Sequence, residues 1–301
     1  MPWLPHKLIL LFVILALGYF LAWPLTSPNP VDPHLLPLIN FPLASPPVVK
    51  NPTPPQLGAT SFILVDDLTN TVLIAKDPDQ RIYPASTTKL ATALTALNIY
   101  PLDEVVTVKE KYTEGKIMNL QLGEKITIRS LSTALLIFSA NDSAIALANH
   151  HPQGRSGFIT EMNALAKKYL LTNTNFTNVD GIHSPLHYST VTDLAQLARV
   201  SIRNQFVVDT VKKTSATVTD LSSAISHPLV TTNELLGKYR EIEGLKTGWT
   251  PEAGGCFVGL INLSGHQLIS VVAQSPDRFA DTLALLSWAQ SNLTWPRPST
   301  L

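Results

Sequence analysis

The sequence begins with a long apolar run, which limits what its first part can fold into. Residues 8–23 read LILLFVILALGYFLAW, and none of them is charged. Extended to Leu25, the run has 18 residues, near the lower limit for crossing the hydrocarbon core of a bilayer. A helix buried in a globular core usually keeps one polar stripe, which this run lacks. We therefore predict that residues 1–25 form a membrane anchor or a signal peptide.

The residues around this run bear on its cleavage and its orientation. Cleavage after the small-x-small triplet that ends at Gly18 would leave the apolar sequence YFLAWPL at the new N-terminus, so we favour an anchor that is retained. Lys7 precedes the run, and no other Lys or Arg occurs before Lys50. The positive-inside rule then places the rest of the chain outside the cytoplasm. The predicted location is the cell membrane, crossed once, or the exterior if the segment is cleaved.

The prolines divide the remainder of the chain. Eleven of the 23 prolines lie between Pro24 and Gln56, where no helical or alternating pattern occurs. Because proline fixes φ and favours extended geometry, residues 26–58 are predicted to be a stiff linker. Regular patterns begin near Ala59, and we predict one globular domain over residues 59–295.

Hydrophobic periodicity in this domain indicates an α+β class, with strands near both ends and helices between them. The predicted strands are 61–67, 71–76, 214–219, 244–248, 256–262 and 266–274, of which the first two and the last two form hairpins. The predicted helices are 86–99, 129–150, 159–170, 191–203 and 277–292. Strands at both ends suggest one sheet that is closed by the two ends of the domain.

Charge and cysteine content argue against several functions. The 22 basic and 22 acidic residues give a net charge of +0, whereas a nucleic-acid-binding protein normally carries a basic excess. The single cysteine, Cys256, rules out an intramolecular disulfide and a cysteine-rich zinc site.

Three short motifs carry chemically useful side chains. Ser86 and Lys89 are three residues apart at the start of a predicted helix, where positions i and i+3 share a face. An unprotonated lysine can activate a serine as a nucleophile. Ser139 and Asn141 interrupt an apolar helical stretch, so this group is either a helix–helix turn with an N-cap (Asn141 or Asp142) or a site placed in a cleft.

The third motif is Lys246-Thr247-Gly248, on a predicted strand. A cation and a hydroxyl can bind a carboxylate, and a glycine lets another backbone approach closely. The order S-x-x-K, S-x-N, K-T-G is much more specific than any one of the three, and it is the signature of penicillin-binding proteins and class A β-lactamases.

Several longer segments extend this similarity over residues 59–292. They include YPASTTKLATALTAL, LLIFSANDSAIALA, NFTNVDGIHSPLHYSTVTDLAQLA and GLKTGWTPEAGGCFV. Together they resemble the serine D-Ala-D-Ala carboxypeptidases, which are low-molecular-mass penicillin-binding proteins. The resemblance implies a β-lactamase/transpeptidase-like α+β fold, with an antiparallel sheet flanked by helices plus a helical subdomain. It also implies a serine hydrolase that needs neither a metal nor an organic cofactor.

The same resemblance implies roles for the motif residues. Ser86 would be the acylated nucleophile and Lys89 its general base. Ser139 would relay the proton to the leaving D-alanine, and Asn141 would hold the amide of the peptide. The backbone N–H groups of Ser86 and Trp249 would form the oxyanion hole.

The resemblance also implies a carboxylate-binding group. Lys246 and Thr247 of the K-T-G motif would bind the terminal carboxylate or polarise the serines, and Gly248 completes this substrate-binding strand. Arg278 falls where such enzymes often place an arginine that helps to hold the carboxylate. As an alternative, Arg278 is a solvated residue at a helix start, paired with Asp277 or Asp281.

Two departures from the family pattern affect these expectations. Only 53 residues follow Gly248, so we expect the N-terminal segment to provide the anchoring that many relatives place at a C-terminal helix. Trp249, directly after the K-T-G motif, is bulky and is expected to narrow the cleft.

Other enzyme classes fit the residues less well. A class A β-lactamase needs a deacylating glutamate in an E-x-x-L-N pattern, which Glu161 lacks. A metal site on Asp180, His183 and His187 is disfavoured, since Ser184-Pro185 breaks the helix that would align the two histidines. Cys256 and His266 are too far apart along their hairpin to act together.

We therefore predict a membrane-anchored, extracytoplasmic carboxypeptidase that trims the terminal D-alanine of peptidoglycan stem peptides and is inhibited by β-lactams. Two alternatives stay open. One is a D,D-endopeptidase that cuts peptidoglycan crosslinks. The other is a non-catalytic module that senses β-lactams or binds the cell wall.

Overall fold

The computed structural model describes residues 45–296 of the 301-residue chain. The anchor or signal peptide predicted over residues 1–25 lies outside the described residues, as does the linker up to residue 44. Within residues 45–296, no helix is both long enough and apolar enough to cross a bilayer.

The described residues form a mixed α+β structure, as predicted. The strands are β1 Val48–Val49, β2 Ser61–Asp66, β3 Val72–Lys76, β4 Val105–Thr107, β5 Lys125–Thr127, β6 Ser215–Thr219, β7 Ser226–Val230, β8 Ile242–Thr250, β9 Gly254–Leu263, β10 His266–Ser275 and β11 Leu293–Thr294. The α-helices are α1 Lys89–Ile99, α2 Ile128–Ile137, α3 Asn141–His150, α4 Gly154–Lys168, α5 Val191–Ser201, α6 Gln205–Val211 and α7 Arg278–Asn292. A 3₁₀ turn, Ala85–Thr88, precedes α1.

The central sheet has five antiparallel strands in the order β3-β2-β10-β9-β8. Both predicted hairpins, β2–β3 and β9–β10, are confirmed, and β2 pairs with β10, so the sheet is closed by strands from the two ends of the domain. Strand β8 comes last in this spatial order and therefore lies at one edge of the sheet.

Side-chain alternation along β2 separates two hydrophobic layers. Phe62 and Leu64 pack on one face with α7, whereas Ile63 and Val65 pack on the other face with the remaining helices. Successive side chains of a strand point to opposite faces of the sheet, so β2 contributes apolar residues to both layers. The larger layer extends into a helical region built on α2, α3 and α4, which is the helical subdomain that the resemblance implies.

Two predicted helices differ from the structure at the places where they carry motif residues. The predicted helix 86–99 begins with the 3₁₀ turn and becomes α-helical only at Lys89. The predicted helix 129–150 is two helices, α2 and α3, because Ser139 adopts a left-handed backbone with φ of 67° and the chain turns there. Hydrophobic periodicity continues across this turn and predicts one helix, whereas the polar residues Ser139 and Asn141 indicate a helix–helix turn, which the structure confirms.

The chain from Val48 onward contacts the domain. Strand β1 pairs with β11, and the indole Nε1 of Trp288 donates a hydrogen bond to the carbonyl of Thr53 at 2.8 Å. The N–H of Gly58 donates to a carboxylate oxygen of Asp281 at 2.9 Å. The last part of the predicted linker therefore lies against α7.

Candidate active site

Ser86 lies on a short turn that aims it at Lys89. Ala85 has a positive φ of 48°, and the hydroxyl of Thr87 closes the turn by donating to the carbonyl of Pro84 at 2.6 Å. The ammonium of Lys89 donates to Ser86 Oγ at 3.0 Å. The structure thus brings together the serine and lysine of the first motif, as the i, i+3 spacing predicts.

Lys89 is completely buried, which changes its acidity. Its Nζ also donates to the backbone carbonyl of Asp180 at 2.5 Å. Burial disfavours the ammonium and lowers the pKa of Lys89 to about 8, while the negative charge of Asp180 acts in the opposite direction. A lysine with this pKa is partly neutral near physiological pH and can accept a proton from Ser86.

The loop that carries Asp180 is fitted closely against the serine turn. A Cβ on Gly181 would lie 1.9 Å from the carbonyl oxygen of Ala85, and Gly181 has a φ of 84°, so only glycine fits there. The hydroxyl of Tyr112 donates to the carboxylate of Asp180 at 2.9 Å. The sequence indicates Asp180 only as a candidate metal ligand and does not predict the contact of its backbone carbonyl with Lys89.

Ser139 and Asn141 form the turn between α2 and α3. The N-cap residue of α3 is Ala140, with no side-chain cap, so the interpretation of Asn141 or Asp142 as an N-cap is wrong. Asn141 instead donates from Nδ2 to the carbonyl of Glu114 at 3.0 Å. The carboxylate of Asp142 accepts hydrogen bonds from the backbone of the preceding loop, at Met118 and Leu120. Asp142 thereby fixes this loop beside the turn.

The third motif lies on the edge strand β8. Lys246 is buried, and its Nζ donates to the carbonyl of Thr247 at 3.1 Å. Burial, together with the charges of Lys89, Lys116 and Arg278, lowers the pKa of Lys246 well below the usual value for lysine. The hydroxyl of Thr247 lies 2.7 Å from the hydroxyl of Thr232, a contact that the sequence did not predict.

Gly248 is needed because β8 crosses directly over the serine turn. A Cβ at this position would lie 2.9 Å from the backbone nitrogen of Ser86 and 3.1 Å from the carbonyl of Pro84. The glycine of the K-T-G motif therefore allows β8 to approach the turn that carries Ser86.

A cleft of about 270 Å³ brings the predicted residues together. The predicted site residues that line it are Ser86, Ser139, Asn141, Thr247, Gly248, Trp249 and Arg278. Lys89 and Lys246 are buried and do not line it. Trp249 is 60% exposed.

Arg278 faces this cleft from the start of α7. Asp277 accepts hydrogen bonds from the backbone of Phe279 and Ala280, and Asp281 accepts from Ser275 Oγ at 2.6 Å. Among residues 45–296, Arg278 forms no ion pair, so its predicted pairing with Asp277 or Asp281 is wrong. Its guanidinium lies 4.6 Å from the ring centroid of Phe279. A guanidinium held in this way can receive a carboxylate.

Lys116 is a further cation of the cleft that sequence reasoning did not identify. Its ammonium lies 4.2 Å from the ring centroid of Phe138, and its carbonyl accepts a hydrogen bond from the N–H of Asn141 at 2.7 Å. No motif includes Lys116, so only the tertiary structure reveals its position.

The residues of the rejected alternatives have structural roles. His187 accepts a hydrogen bond at Nδ1 from the N–H of Thr177 and donates from Nε2 to the hydroxyl of Thr88. Burial lowers the pKa of His187 to about 4, so it is neutral. Burial also raises the pKa of the Cys256 thiol to about 11, and Cys256 lies in the hydrophobic core. Glu161 does not line the cleft.

Comparison with known proteins gives results that agree with this geometry. The sequence profile of the D-alanyl-D-alanine carboxypeptidase family, Peptidase S11, matches residues 48–277. The chain is 31% identical to D-alanyl-D-alanine carboxypeptidase DacA of Haemophilus influenzae over 258 residues, covering 80% of this chain and 64% of DacA. The chain thus spans just under two thirds of the length of that relative.

A second relative and a solved structure extend the comparison. The chain is 31% identical to a D-alanyl-D-alanine endopeptidase of Escherichia coli over 257 residues, covering 81% of each. The crystal structure of the Streptomyces K15 DD-transpeptidase superposes with a TM-score of 0.75 at 30% identity, covering 79% of this chain and 99% of the other.

Proposed function

This chain belongs to the D-alanyl-D-alanine carboxypeptidase family, Peptidase S11, and from that premise we propose that it hydrolyses the terminal D-Ala-D-Ala bond of peptidoglycan stem peptides. The observation that carries this proposal is the 3.0 Å contact between Lys89 Nζ and Ser86 Oγ, with Lys89 fully buried. A serine hydroxyl beside a lysine of lowered pKa is suited to acyl transfer.

The reaction proceeds in two stages. Ser86 Oγ attacks the carbonyl carbon of the penultimate D-alanine, and its proton passes to the neutral amine of Lys89. A proton relayed through Ser139 then reaches the nitrogen of the leaving D-alanine, and the C–N bond breaks. Water hydrolyses the resulting Ser86 ester, which releases the shortened peptide and restores the hydroxyl.

The cleft supplies groups that bind the peptide on both sides of the scissile bond. Thr247 and Arg278, on β8 and α7, bind the terminal carboxylate of the peptide. Asn141 holds the peptide amide on the acyl side, and the backbone N–H groups of Ser86 and Trp249 stabilise the oxyanion. β-Lactams acylate the same serine and inhibit the enzyme.

The first test uses a labelled penicillin and intact mass measurement, with wild type beside Ser86→Ala. A covalent adduct on wild type that disappears in Ser86→Ala supports the nucleophile, and release of free D-alanine from an acylated peptide ending in D-Ala-D-Ala supports the activity. A folded wild-type protein that forms no adduct and releases no D-alanine would favour a non-catalytic module that binds the cell wall.

An endopeptidase acting on crosslinks is a second candidate, supported by the relative from Escherichia coli that carries that name. The two activities use the same cleft residues. Incubation with purified crosslinked and uncrosslinked stem peptides separates them, because an endopeptidase converts dimers to monomers and a carboxypeptidase releases D-alanine.

We also propose that the enzyme acts outside the cytoplasm, held at the membrane by residues 1–25. The uncharged run over residues 8–23 and Lys7 before it support this location. Fractionation of cells that express the chain with and without residues 1–25 tests it. Removal of the segment is expected to transfer the protein from the membrane fraction to the soluble fraction.

A further inference from the structure

Lys116 occupies a position in the cleft that the proposed reaction does not use. It lines the same cleft as Ser86, on the loop between β4 and β5. Arg278 approaches the cleft from α7, and so the two cations belong to different elements. The cleft therefore has one more exposed cation than a single terminal carboxylate needs.

The position of Lys116 is fixed by its neighbours. Its carbonyl accepts the N–H of Asn141 at 2.7 Å, and Asn141 Nδ2 donates to the carbonyl of Glu114 at 3.0 Å. A Cβ on Gly115 would lie 2.4 Å from Asn141 Nδ2, so the loop is fitted closely to this amide. The ammonium itself rests 4.2 Å from the centroid of the Phe138 ring.

Lys116 also has no anionic partner among the described residues. None of the eight ion pairs within residues 45–296 includes Lys116. The carboxylate of Glu114, two residues before Lys116, forms no ion pair with it and lies 3.4 Å from the Tyr112 hydroxyl, which donates to Asp180. Partial burial lowers the pKa of Lys116, although solvent still reaches the side chain. An available cation in a cleft favours an anion in the ligand.

We propose that Lys116 is a specificity-determining residue that binds a carboxylate on the substrate side chain upstream of the two terminal residues. The direction follows from Asn141, which holds the peptide amide on the acyl side of the scissile bond and is hydrogen-bonded to Lys116. The inference rests on the proposed function, because that function defines how the peptide lies in the cleft. The preferred substrates are peptides with an acidic residue just before the terminal pair.

The experiment uses three acylated peptides, X-D-Ala-D-Ala, in which X is Glu, Gln or Lys. D-Alanine release gives kcat/KM for each. Wild type is expected to prefer the Glu peptide over the Gln peptide about five- to tenfold, the range of a partly exposed charge-assisted contact, and to lose part of this preference at high salt. The Lys116→Gln variant should hydrolyse the Glu and Gln peptides at similar rates.

Charge reversal provides a gain-of-preference test. In Lys116→Glu the order should invert, with the Lys peptide preferred over the Glu peptide. Lys168→Gln is the matched control, since it removes the same charge from α4, which contributes no residue to the cleft. This control should keep the wild-type preference for the Glu peptide.

Three results would overturn the proposal: no preference in wild type, a preference that persists in Lys116→Gln, or an equal loss on all peptides in that variant. The last result would place Lys116 at the terminal carboxylate instead. Failure of the proposed function is recognised separately, by the absence of D-alanine from every peptide. In that case the measured quantity is the rate at which penicillins with and without a side-chain carboxylate acylate the protein. Wild type should react faster with the penicillin that carries the carboxylate, and Lys116→Gln should lose this preference.

Discussion

Raising the pH from 7 to 9 should increase the rate of Ser86 acylation by a penicillin about tenfold. Only neutral Lys89 can accept the Ser86 proton, and burial sets the pKa of Lys89 at about 8. The neutral fraction is then about 9% at pH 7 and about 90% at pH 9, since each pH unit below the pKa reduces it nearly tenfold. The rate should level off above pH 9.

A variant of Asp180 tests the origin of this profile. The negative charge of Asp180 favours the Lys89 ammonium, so Asp180→Asn should lower the pKa of Lys89 and move the midpoint of the profile to lower pH. Asparagine keeps an oxygen that can accept the Tyr112 hydroxyl, which contacts Asp180 at 2.9 Å. The change therefore removes charge while keeping this hydrogen bond.

The assay is the second-order rate constant for adduct formation with a fluorescent penicillin between pH 6 and pH 9.5, with Ser86→Ala as the background. Tryptophan fluorescence across the same range confirms that the protein stays folded. A flat profile, or a midpoint that rises in Asp180→Asn, would refute the assignment of Lys89 as the base whose protonation limits acylation.

Three further perturbations follow from the structure. Gly181→Ala should lower the free energy of unfolding by about 3 kcal/mol or more in urea denaturation, because the added Cβ would meet the carbonyl of Ala85. The control is Gly123→Ala, which has a similar φ of 82° but open space around it and should lower the free energy of unfolding by only about 1 kcal/mol. Equal losses in the two variants would contradict the packing argument. Thr232→Val should reduce kcat/KM for peptide hydrolysis about fivefold without loss of stability, because Thr247 loses a hydroxyl partner, and unchanged kinetics would show that this contact is dispensable. Glu124→Ala should lower the free energy of unfolding by about 3 kcal/mol in the same assay, because it removes the carboxylate that lies 2.8 Å from Nε2 of buried His227. A loss below about 1 kcal/mol would contradict this reasoning.

The parts of the site that lie close together in sequence could be predicted from it. Ser86 and Lys89 share one face of a short helical segment, and the strand that carries Lys246 and Thr247 is evident from local pattern. The two hairpins of the central sheet are also local features, because a short turn connects their strands. Local spacing was sufficient for these predictions.

The other parts depend on contacts between distant segments. The carbonyl of Asp180 reaches Lys89 across 91 positions of sequence, and no local pattern indicates this contact. Lys116 has no recognisable spacing to any motif, and its importance arises only when its loop meets α3. Hydrophobic periodicity runs through Ser139, because apolar residues continue with helical spacing on both sides of it, so the turn is indicated only by its polar residues, as one of two alternatives.

The pairing of β1 with β11 has a consequence for engineering this domain. Val48 lies opposite Thr294, so these two residues, each close to one end of the described residues 45–296, are only about 5 Å apart at their Cα atoms, as in any antiparallel pair. A few residues would join these ends into a closed loop, and the chain could then be opened at an exposed turn such as Gly123 to give a circular permutant. The same short distance would allow the domain to be inserted into a surface loop of another protein, since the two points where the chain enters and leaves the domain are about as far apart as the two strands of a hairpin.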